Sequence, residues 1–586
     1  MCGIFGYFDQ KKSPLTHIDL QKMATAIHYR GPDGQGFFEA PGVGLGNCRL
    51  AILDIENGTQ PFIAEDKSVV VVQNGEIFNH IELAESLRGT AFECQTNCDT
   101  EVLLRLYQKE GIDFISKLNG MFAIAIYDAN EDHLFLIRDR VGEKPLYYFY
   151  DTNLLIFGSE IKTILSTGIK KEVDYNAINS FLTLNYVAPP LTMFKNIQHV
   201  MPGTYLKISK NSLESKIWWD LSKISTLEKS ESEWISIFNE TLQDAVRIRL
   251  RSDVPFGAFL SGGVDSSTVV GLMSQILDTP VKTFSIGFDD PKYDESEFAQ
   301  AAATKFKTDH TMEKAESNLF HLWELATYHC DQPHGDTSFL PTYRVAQLAA
   351  AHVKMVLTGD GADELFAGYD KYKNFFLEID PSSNDKTFQE LYISNISLFG
   401  EQTKKQLFSE KLLETQDATN FLKTAFDAVR HMDRINQALF IDTMFLLSGN
   451  NLVKPDRMGM AVSIENRAPF LDYRMIELAF SMPGNLKLRQ TETKYLYKKA
   501  VESLIGHDLA YRKKQMFTVP VGEWLKKELK NKAQDLLLSE KTRSRNLFNY
   551  TFIEDMFEQH CNETKNYTRE LRALMALEIW FRVFID

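Results

Sequence analysis

Residues 255–267 consist of an apolar stretch followed directly by a run of small residues, Pro-Phe-Gly-Ala-Phe-Leu-Ser-Gly-Gly-Val-Asp-Ser-Ser. We predict a buried strand over 255–260 and a helix over 268–277, joined by this small-residue turn. Glycines let a backbone approach an oxyanion closely, serine hydroxyls and free amides donate to it, and a helix N-terminus adds partial positive charge. Small residues also suit an ordinary strand-to-helix turn, but this composition favours a phosphate site. It is not a Walker sequence, because it has no Gly-Lys-Ser/Thr.

Two further strands are predicted in the same half of the chain, at 281–286 and 353–357. The second runs into Thr-Gly-Asp-Gly-Ala-Asp-Glu, residues 358–364. Alone, this segment would be interpreted as a solvated acidic loop. Because ligands of a doubly wound sheet bind at the carboxyl ends of its strands, we expect all three strand ends to face one crevice.

Acidic residues in these turns suggest a metal ion as well as a nucleotide. Asp265 would oppose a bare phosphate, so its carboxylate is better suited to hold Mg²⁺ against phosphate oxygens. Asp363 would join it on the metal, and Asp360 is left for the chemistry or for its electrostatic effect. The Ser261 turn would hold the pyrophosphate, while Ile286 and the backbone after it would line an adenine slot.

The first half of the chain has a different pattern. Short strands are predicted at 69–72, 122–127 and 134–137, the last two joined by a hairpin connection. A polar stretch at 209–232 follows, and helical spacing begins after it, with Ser230 and Glu233 as a capping box. We therefore predict domains at 1–208 and 233–586, separated by a linker at 209–232.

The amino-acid composition and net charge exclude several classes of protein. The 586 residues carry a net charge of -15, which leaves no broad basic surface and argues against nucleic acid as a partner. The six cysteines do not form a disulfide or zinc pattern. Neither a signal peptide nor a membrane span is predicted. We expect a cytoplasmic protein that acts on small molecules.

Cys2 would become the N-terminal residue if Met1 were removed. It would then carry a thiol nucleophile together with an α-amine, which titrates near pH ~8 and can accept the thiol proton. A cysteine at position 2 also occurs commonly by chance, so the catalytic role of Cys2 depends on the motifs in the rest of the chain.

The motifs together resemble those of the glutamine-dependent asparagine synthetases and their amidotransferase relatives, over essentially the whole chain. In the first half the resemblance rests on Cys2-Gly3-Ile4, Arg30-Gly31-Pro32-Asp33, Arg49 to Asp54, Asn74 to Asn79 and Cys98 to Glu101. In the second half it rests on Ser261 to Ser267, Thr358 to Glu364, Gly368-Tyr369 and Arg467 to Asp472.

For the first half the resemblance implies a four-layer αββα sandwich that hydrolyses glutamine. Cys2 would attack the carboxamide, and the Asn74 side chain with the Gly75 N–H would form the oxyanion hole. The implied glutamine-binding residues are Arg49 for the α-carboxylate, Glu76 and Asp99 for the α-ammonium, and Leu50, Leu53, Asn74 and Gly75.

For the second half the resemblance implies a doubly wound α/β domain with a helical C-terminal part, which makes an acyl-adenylate from ATP. Ammonia from Cys2 would reach this adenylate through an interior tunnel. Asp360 and Lys494 would be catalytic, Asp265 and Asp363 would hold Mg²⁺, and Arg467 is a candidate contact for the acceptor carboxylate. The implied ATP-binding residues are Leu260, Ser261, Gly262, Gly263, Asp265, Ser266, Ile286, Thr358 and Gly359. A homodimer is an expectation from the family.

Two departures from the family pattern bear on the substrate. Asp360 stands where many asparagine synthetases have glutamate, and Asn47-Cys48 replaces more basic residues before Arg49. The leading hypothesis is synthesis of L-asparagine from L-aspartate, glutamine and ATP, and the alternative is amidation of a sugar uronate for surface polysaccharide. A third hypothesis is a scaffold protein that has lost catalytic activity. The sequence argues against it, because it keeps Cys2, Asn74, Asp265 and Asp363. A hydrolytic enzyme acting on tRNA is opposed by the acidic charge and by the glutaminase half.

Overall fold

The computed structural model describes residues 2–12, 18–210, 212–315, 318–513, 521–527 and 529–586. In these residues the chain forms two domains, the first built on two antiparallel sheets and the second on one parallel sheet. None of the helices described is both long and apolar enough to cross a bilayer.

The two antiparallel sheets of the first domain have six strands each in the described chain. One has the order β10-β8-β9-β1-β3-β2, with β1 (Gly3–Asp9), β2 (Gly34–Ala40), β3 (Val43–Arg49), β8 (Tyr147–Asp151), β9 (Leu154–Gly158) and β10 (Ile197–His199). The other has the order β12-β11-β7-β6-β5-β4, with β4 (Phe62–Ile63), β5 (Val69–Ile77), β6 (Gly120–Asp128), β7 (His133–Arg138), β11 (Thr204–Ser209) and β12 (Ser212–Ile217).

The sheets pack face to face because both present apolar side chains to a shared core. Ile4 and Leu45 of the first sheet join Val72 and Ala123 of the second in one buried cluster. The outer faces are covered by α1 (Leu20–Ala26), α4 (Ile161–Leu165) and α5 (Tyr175–Leu184) on the first sheet, and by α2 (His80–Glu85) and α3 (Asp99–Glu110) on the second. The predicted αββα sandwich is confirmed.

The parallel sheet of the second domain has the order β15-β14-β13-β16-β17. Its strands are β13 (Phe256–Phe259), β14 (Lys282–Phe288), β15 (Asp309–Ala315), β16 (Met355–Leu357) and β17 (Glu465–Arg467). All of the pairings are parallel, and the chain order reverses between β13 and β16. This is the doubly wound arrangement predicted, and its switch point lies between the strands that precede the two predicted loops.

Helices cover both faces of this sheet and form the rest of the domain. They are α6 (Glu231–Arg249), α7 (Val264–Ile276), α8 (Ser296–Phe306), α9 (Trp323–Cys330), α10 (Phe339–Ala350), α11 (Ala362–Leu365), α12 (Asp370–Glu378), α13 (Asp385–Ile396), α14 (Glu401–Leu407), α15 (Glu410–Leu413), α16 (Asn420–Ala428), α17 (Arg434–Ile441), α18 (Val453–Met460), α19 (Tyr473–Ser481), α20 (Tyr495–Ile505), α21 (His507–Ala510), α22 (Val521–Lys526), α23 (Lys530–Leu538), α24 (Glu540–Ser544), α25 (Tyr550–Cys561) and α26 (Thr568–Phe584). A π-helix spans Asp442–Asn451, and a small hairpin pairs β18 (Leu488–Arg489) with β19 (Glu492–Thr493). The helical C-terminal part is thus confirmed.

The stretch predicted as a linker, 209–232, contains ordered elements. Its first part forms β12, which pairs with β11, and its last residues begin α6 after the Ser230 capping box. The polar composition of β12 is that of a solvated edge strand, since most of its residues are exposed. Between these elements the Trp219 indole donates to Glu477 of α19 at 2.9 Å, which ties the connection to the second domain. We therefore place the end of the first domain after Ile217.

Candidate functional site

Cys2 lies immediately before β1 and is buried, with 6% of its surface exposed. Its backbone N–H donates to Asn74 Oδ1 at 3.3 Å, and its carbonyl accepts from Arg30 Nε at 3.2 Å. Burial raises the pKa of the Cys2 thiol, although the nearby Arg49 guanidinium favours the thiolate. Met1, whose removal the prediction requires, lies outside the described residues.

Asn74 and Gly75 reach Cys2 because β5 runs past the start of β1. Asn74 is fully buried, and its amide NH₂ donates to Ser159 Oγ at 3.3 Å. Gly75 has φ +147°, and a Cβ there would lie 2.0 Å from the Met121 carbonyl oxygen. The structure thus brings Asn74 beside Cys2, with Gly75 next to it in the chain, while the Asn74 donor assigned to the oxyanion hole has Ser159 as its present partner.

Arg49 and Leu50, two of the predicted glutamine-binding residues, lie near Cys2. Arg49 ends β3, and its guanidinium donates to the carbonyls of Leu53, Asp54 and Ile55 at 2.7–3.0 Å. Leu50 is buried beside it. The loop carbonyls fix the orientation of the guanidinium.

Two acidic residues complete this set. Asp99 begins α3, where its carboxylate accepts from the Ile77 N–H and from Gln73 Nε2, both at 2.9 Å. Glu76 is buried on β5, and burial together with the neighbouring Asp99 raises the pKa of its carboxyl group. The Asp99 carboxylate thus lies against the backbone of Ile77, the residue that follows Glu76.

The predicted phosphate turn follows β13 and leads into α7. Gly262 has φ +69°, and a Cβ there would lie 2.4 Å from the Phe298 carbonyl group, so the turn and α8 approach closely only with glycine. The hydroxyls of Ser261 and Ser266 lie 3.1 Å apart, and Gly263 is the N-cap of α7. The helix begins earlier than predicted, at Val264, which places Asp265 and Ser266 in its first turn. Leu260, which precedes the turn, is buried and donates its N–H to the carbonyl of Phe284 in β14, the strand that carries Ile286.

The turn after β16 lies against the phosphate turn. A Cβ on Gly359 would come within 2.7 Å of the Asp265 Cβ, so the two loops are in direct contact. The Thr358 hydroxyl donates to Asp360 Oδ2 at 2.7 Å. Burial raises the pKa of Asp360, and the charges of Asp265 and Asp363 add to this effect.

Lys494 joins the two turns through its ammonium group. Its Nζ lies 2.6 Å from Asp265 Oδ1 and 2.7 Å from Asp363 Oδ1. Although burial opposes the charge, the two carboxylates raise the pKa of Lys494. Gly368 lets this cluster form, because a Cβ there would meet Asp363 and Lys494 at 1.9 and 2.2 Å. The side chains predicted for phosphate, metal and chemistry thus lie in one crevice at the switch point.

Arg467 is not available to an acceptor, so that prediction is wrong. It is fully buried in β17, and its guanidinium donates to Glu465, to Glu76 at 3.0 Å, and to the carbonyls of Arg249 and Arg251. Four of its five N–H groups are therefore used inside the protein. Its place is between the domains, because Glu76 belongs to the first and β17 to the second.

Sequence reasoning missed other polar groups of this crevice. Lys454 Nζ pairs with Asp336 Oδ2 at 2.7 Å, and the Asn451 amide donates to Glu364. No local motif signals these pairs, because their members are separated by 118 and 87 residues. Only Glu364 lay within a segment that the sequence had singled out.

Comparison with known proteins agrees with this architecture. The family model described as "Glutamine amidotransferase domain" matches residues 1–219, and the one described as "Asparagine synthase" matches residues 238–582, more than half of the chain. The chain belongs to the asparagine synthase family. The first matched range ends at Trp219, and the second begins within α6, at Phe238. The chain is accordingly a glutamine-hydrolysing carbon–nitrogen ligase of the asparagine synthase type.

Several curated proteins resemble the chain over most of its length. A Bacillus subtilis protein named "Asparagine synthetase [glutamine-hydrolyzing] 1" is 32% identical over all of this chain and 97% of its own. A Methanocaldococcus jannaschii protein named "Putative asparagine synthetase [glutamine-hydrolyzing] 2" is 38% identical over 64% of this chain and 76% of its own. "Amidase chyE" of Penicillium rubens is 27% identical over 95% of both chains.

Proposed function

We propose that the protein is a glutamine-dependent asparagine synthetase. It hydrolyses glutamine at Cys2 and transfers the ammonia to β-aspartyl-AMP, formed from L-aspartate and ATP, with release of L-asparagine, glutamate, AMP and pyrophosphate. The observation that carries the proposal is the switch-point crevice, where Lys494 lies between Asp265 and Asp363 next to the phosphate turn. In the same chain, Asn74 lies beside the buried Cys2.

In the first half-reaction the Cys2 sulfur attacks the glutamine carboxamide carbon. The C–N bond breaks, ammonia leaves with the proton taken from the thiol, and water then hydrolyses the thioester to glutamate. After Met1 removal the α-amine of Cys2 accepts and returns that proton. Rotation of the Asn74 amide away from Ser159 turns its NH₂ toward the developing oxyanion, and the Gly75 N–H is the second donor.

Recognition of glutamine follows from charges placed around Cys2. Arg49, held by three loop carbonyls, pairs with the α-carboxylate, and Glu76 and Asp99 accept from the α-ammonium. The buried Leu50 and the half-buried Leu53 line the site. These contacts select an amino acid over a simple amide.

In the second half-reaction the aspartate side-chain carboxylate attacks the α-phosphorus of ATP, and pyrophosphate leaves. Leu260, Ser261, Gly262, Gly263 and Ser266 surround the phosphates, with Thr358 and Gly359 opposite and Ile286 near the adenine. A carboxylate is a poor electrophile at neutral pH, so the adenylate is needed before ammonia can displace AMP.

The positions of Asp265 and Asp363 suit a bound Mg²⁺. Both carboxylates converge on one cation, the Lys494 ammonium, at 2.6 and 2.7 Å, and oxygen ligands of this kind are those Mg²⁺ prefers. The described residues contain no cluster of three or more His, Cys, Asp or Glu that would hold a metal without the nucleotide. When bound, the ion neutralises phosphate charge. Lys494 then moves toward the phosphates or the intermediate, and Asp360 accepts a proton from the attacking ammonia.

A sugar uronate as acceptor has no supporting contact among the described side chains. We infer that the enzyme acts in the cytoplasm, since the six cysteines are free thiols, as is usual in a reducing compartment. Assembly as a homodimer stays a prediction from the family.

A direct assay tests the proposal. Purified protein is incubated with glutamine, ATP, Mg²⁺ and either L-aspartate or a uronate, and AMP, asparagine and glutamate are measured. We expect AMP and asparagine with L-aspartate, and with Cys2→Ala we expect synthesis from ammonium but not from glutamine. AMP formed only with the uronate, or neither product with aspartate, would overturn the assignment.

A further inference from the structure

Asp54 lies in the loop after β3 and ends the sequence motif that begins at Arg49. Only 8% of its surface is exposed, and its backbone is left-handed, with φ +42°. Its carbonyl accepts from Arg49 Nη2 at 2.7 Å and from the Gly58 N–H at 2.8 Å. A Cβ on Gly58 would lie 2.3 Å from the same Nη2 atom, so the loop closes tightly around the guanidinium. A left-handed backbone is uncommon outside glycine and persists only where surrounding contacts hold it.

The Asp54 carboxylate holds the segment that leads to Asp99. Its Oδ2 accepts from the Asn97 N–H at 2.8 Å, and Asn97 lies two residues before Asp99. Its Oδ1 accepts from the backbone and side-chain amides of Asn57 at 3.2 and 3.0 Å, which closes the loop on itself. In the proposed function, Arg49 pairs with the α-carboxylate of glutamine and Asp99 accepts from the α-ammonium. One buried residue therefore contacts Arg49 and also the segment that carries Asp99.

The second domain holds Asp54 through Asp253. This residue lies three positions before β13, the strand that leads into the phosphate turn. Its Oδ2 accepts from the Asp54 N–H at 2.7 Å, and its own N–H donates to the Ile52 carbonyl at 3.0 Å. Ile52 and Asp54 are buried, whereas Asp253 is exposed. Two hydrogen bonds of opposite direction thus fix the loop around Arg49 against the second domain.

The segment that carries Asp253 contacts the first domain at a second place. The Arg251 guanidinium donates to the two carboxylate oxygens of Glu82 at 2.6 and 2.7 Å, and also to the Phe78 carbonyl. Phe78 is fully buried at the end of β5, two residues after Glu76. The segment 251–253 is therefore held at two points of the first domain, which gives Asp253 a defined position against Asp54.

We propose that Asp54 and Asp253 are positioning residues for glutamine. Asp54 aligns Arg49 with the Asp99 segment, and Asp253 holds Asp54 from the second domain. This inference rests on the proposed function, which assigns glutamine recognition to Arg49 and Asp99. It goes further because a residue of the ATP-binding domain then sets part of the affinity for glutamine. Both carboxylates act through other residues, and neither contacts the substrate.

The first test compares KM with kcat in Asp253→Ala, with glutamate release measured at increasing glutamine. We expect KM for glutamine to rise about 10-fold, the lower end of the effect of a hydrogen bond to a charged group. The value of kcat should stay nearly unchanged, because Cys2 and Asn74 keep their positions. Asp253→Asn keeps an acceptor oxygen at the same place and should restore most of the affinity. AMP formation with added ammonium reports whether the variants are folded.

The second test uses two analogues as inhibitors of glutamine hydrolysis. Glutaramate is glutamine without its α-amino group, and 4-aminobutanamide is glutamine without its α-carboxylate. Because Arg49 contacts only the carboxylate, Asp253→Ala should raise the inhibition constant of glutaramate by about 10-fold and change that of 4-aminobutanamide much less. Equal weakening of the two inhibitors would indicate a generally disordered site and would overturn the role given to Asp253.

Asp54→Asn should give the reverse pattern. Asparagine also tolerates a left-handed backbone, and the carbonyl that accepts from Arg49 is kept, whereas the Asn97 N–H loses its charged acceptor. We therefore expect 4-aminobutanamide, which binds through its ammonium group, to be weakened more than glutaramate. If both inhibitors kept their wild-type constants, Asp54 would not position the Asp99 segment. If Asp54→Asn does not fold, the exposed Asp253→Ala decides.

Asp309→Ala is the matched control. Asp309 begins β15 of the same parallel sheet, its side chain is 63% exposed, and its carboxylate lies 3.4 Å from the Lys282 ammonium. It should keep the wild-type KM for glutamine and both inhibition constants. If wild-type enzyme hydrolyses glutamine and Asp253→Ala keeps the wild-type KM, the inference fails and the proposed function stands. If wild-type enzyme releases no glutamate from glutamine, the proposed function fails first.

Discussion

Lys487 is a buried lysine with little to compensate its charge. Its side chain is 1% exposed, its ammonium donates to Asn436 Oδ1 at 2.7 Å and lies 4.7 Å from the centre of the Phe480 ring. Burial lowers the pKa of Lys487 to about 7, and the neighbouring Asp433 only partly opposes this. Lys487 precedes the β18–β19 hairpin, and its carbonyl accepts from the Tyr495 N–H at 3.0 Å. It therefore anchors the segment that presents Lys494.

We predict that Lys487→Met stabilises the fold in a pH-dependent way. Between pH 7 and the unfolded pKa near ~10.4 the unfolded chain binds the proton and the folded chain does not, so wild-type stability rises with pH in this window. The variant lacks this penalty, and its advantage should reach about 4 kcal/mol at pH 7 and below, less the lost hydrogen bond. The advantage should shrink toward pH 10. Thermal unfolding at pH 6 and pH 9.5 measures it.

The control for this prediction is Lys386→Met. Lys386 is exposed on α13, with 86% of its side chain accessible, so its removal should not change the pH dependence. A difference between Lys487→Met and wild type that is the same at both pH values would contradict the buried-charge explanation.

Among the structural elements, turns could be predicted from the sequence, whereas pairs of side chains far apart in the sequence could not. The phosphate turn is local, because residues 261–266 follow one strand and begin one helix, and both elements are visible in the sequence. The end of β16 was predictable for the same reason. Arg467 was misjudged because its partner Glu76 is 391 residues away, and the Glu364–Asn451 contact depends on a π-helix that no periodicity indicates. The edge strand β12 was missed because its exposed polar residues resemble a linker.

Gly262→Ala tests the turn itself. The residue has φ +69°, and the added Cβ would lie 2.4 Å from backbone atoms of Phe298 in α8, so the turn must move. A displacement of about 1 Å at a phosphate site can cost about 100-fold in rate. We expect kcat/KM for ATP to fall by that order, while glutamine hydrolysis at Cys2 is retained.

Gly400→Ala is the matched substitution, because Gly400 is an N-cap with φ -72° and nothing lies within 4 Å of the added Cβ. It should leave ATP use unchanged. Normal ATP kinetics in Gly262→Ala would show that the turn does not need this close approach.

The whole molecule is held together by buried charges between its domains. Arg30 of the first domain pairs with Asp456 of α18 at 2.9 Å, and Arg457 of the same helix pairs with Glu160 at 2.8 Å. Asp456 and Arg457, adjacent residues of α18, are therefore both part of the interface. Because Arg30 also donates to the Cys2 carbonyl, the proposed nucleophile is tied to the second domain. Buried ion pairs of this kind fix the relative orientation of the two domains more than they stabilise the fold.

Substitution of Arg467 tests most directly whether the buried contacts between the domains couple the two proposed sites. It is fully buried and joins Glu76 of β5 to β17 and to the carbonyls of Arg249 and Arg251. Glu76 directly follows Gly75, so we expect the loss of Arg467 to disturb the proposed glutamine site from the other domain. Removal of one partner from a buried pair costs about 3–5 kcal/mol. We expect Arg467→Met to unfold at a lower temperature than wild type. We also expect it to release more glutamate than asparagine, because ammonia escapes through a loosened interface, whereas wild type should release about one glutamate per asparagine.

The exposed Arg430→Met, which removes only a surface pair with Asp427, should keep the wild-type ratio. If Arg467→Met retained both the wild-type ratio and the wild-type stability, Arg467 would have no part in joining the two sites, and the coupling would have to rest on the Arg30 and Arg457 pairs alone.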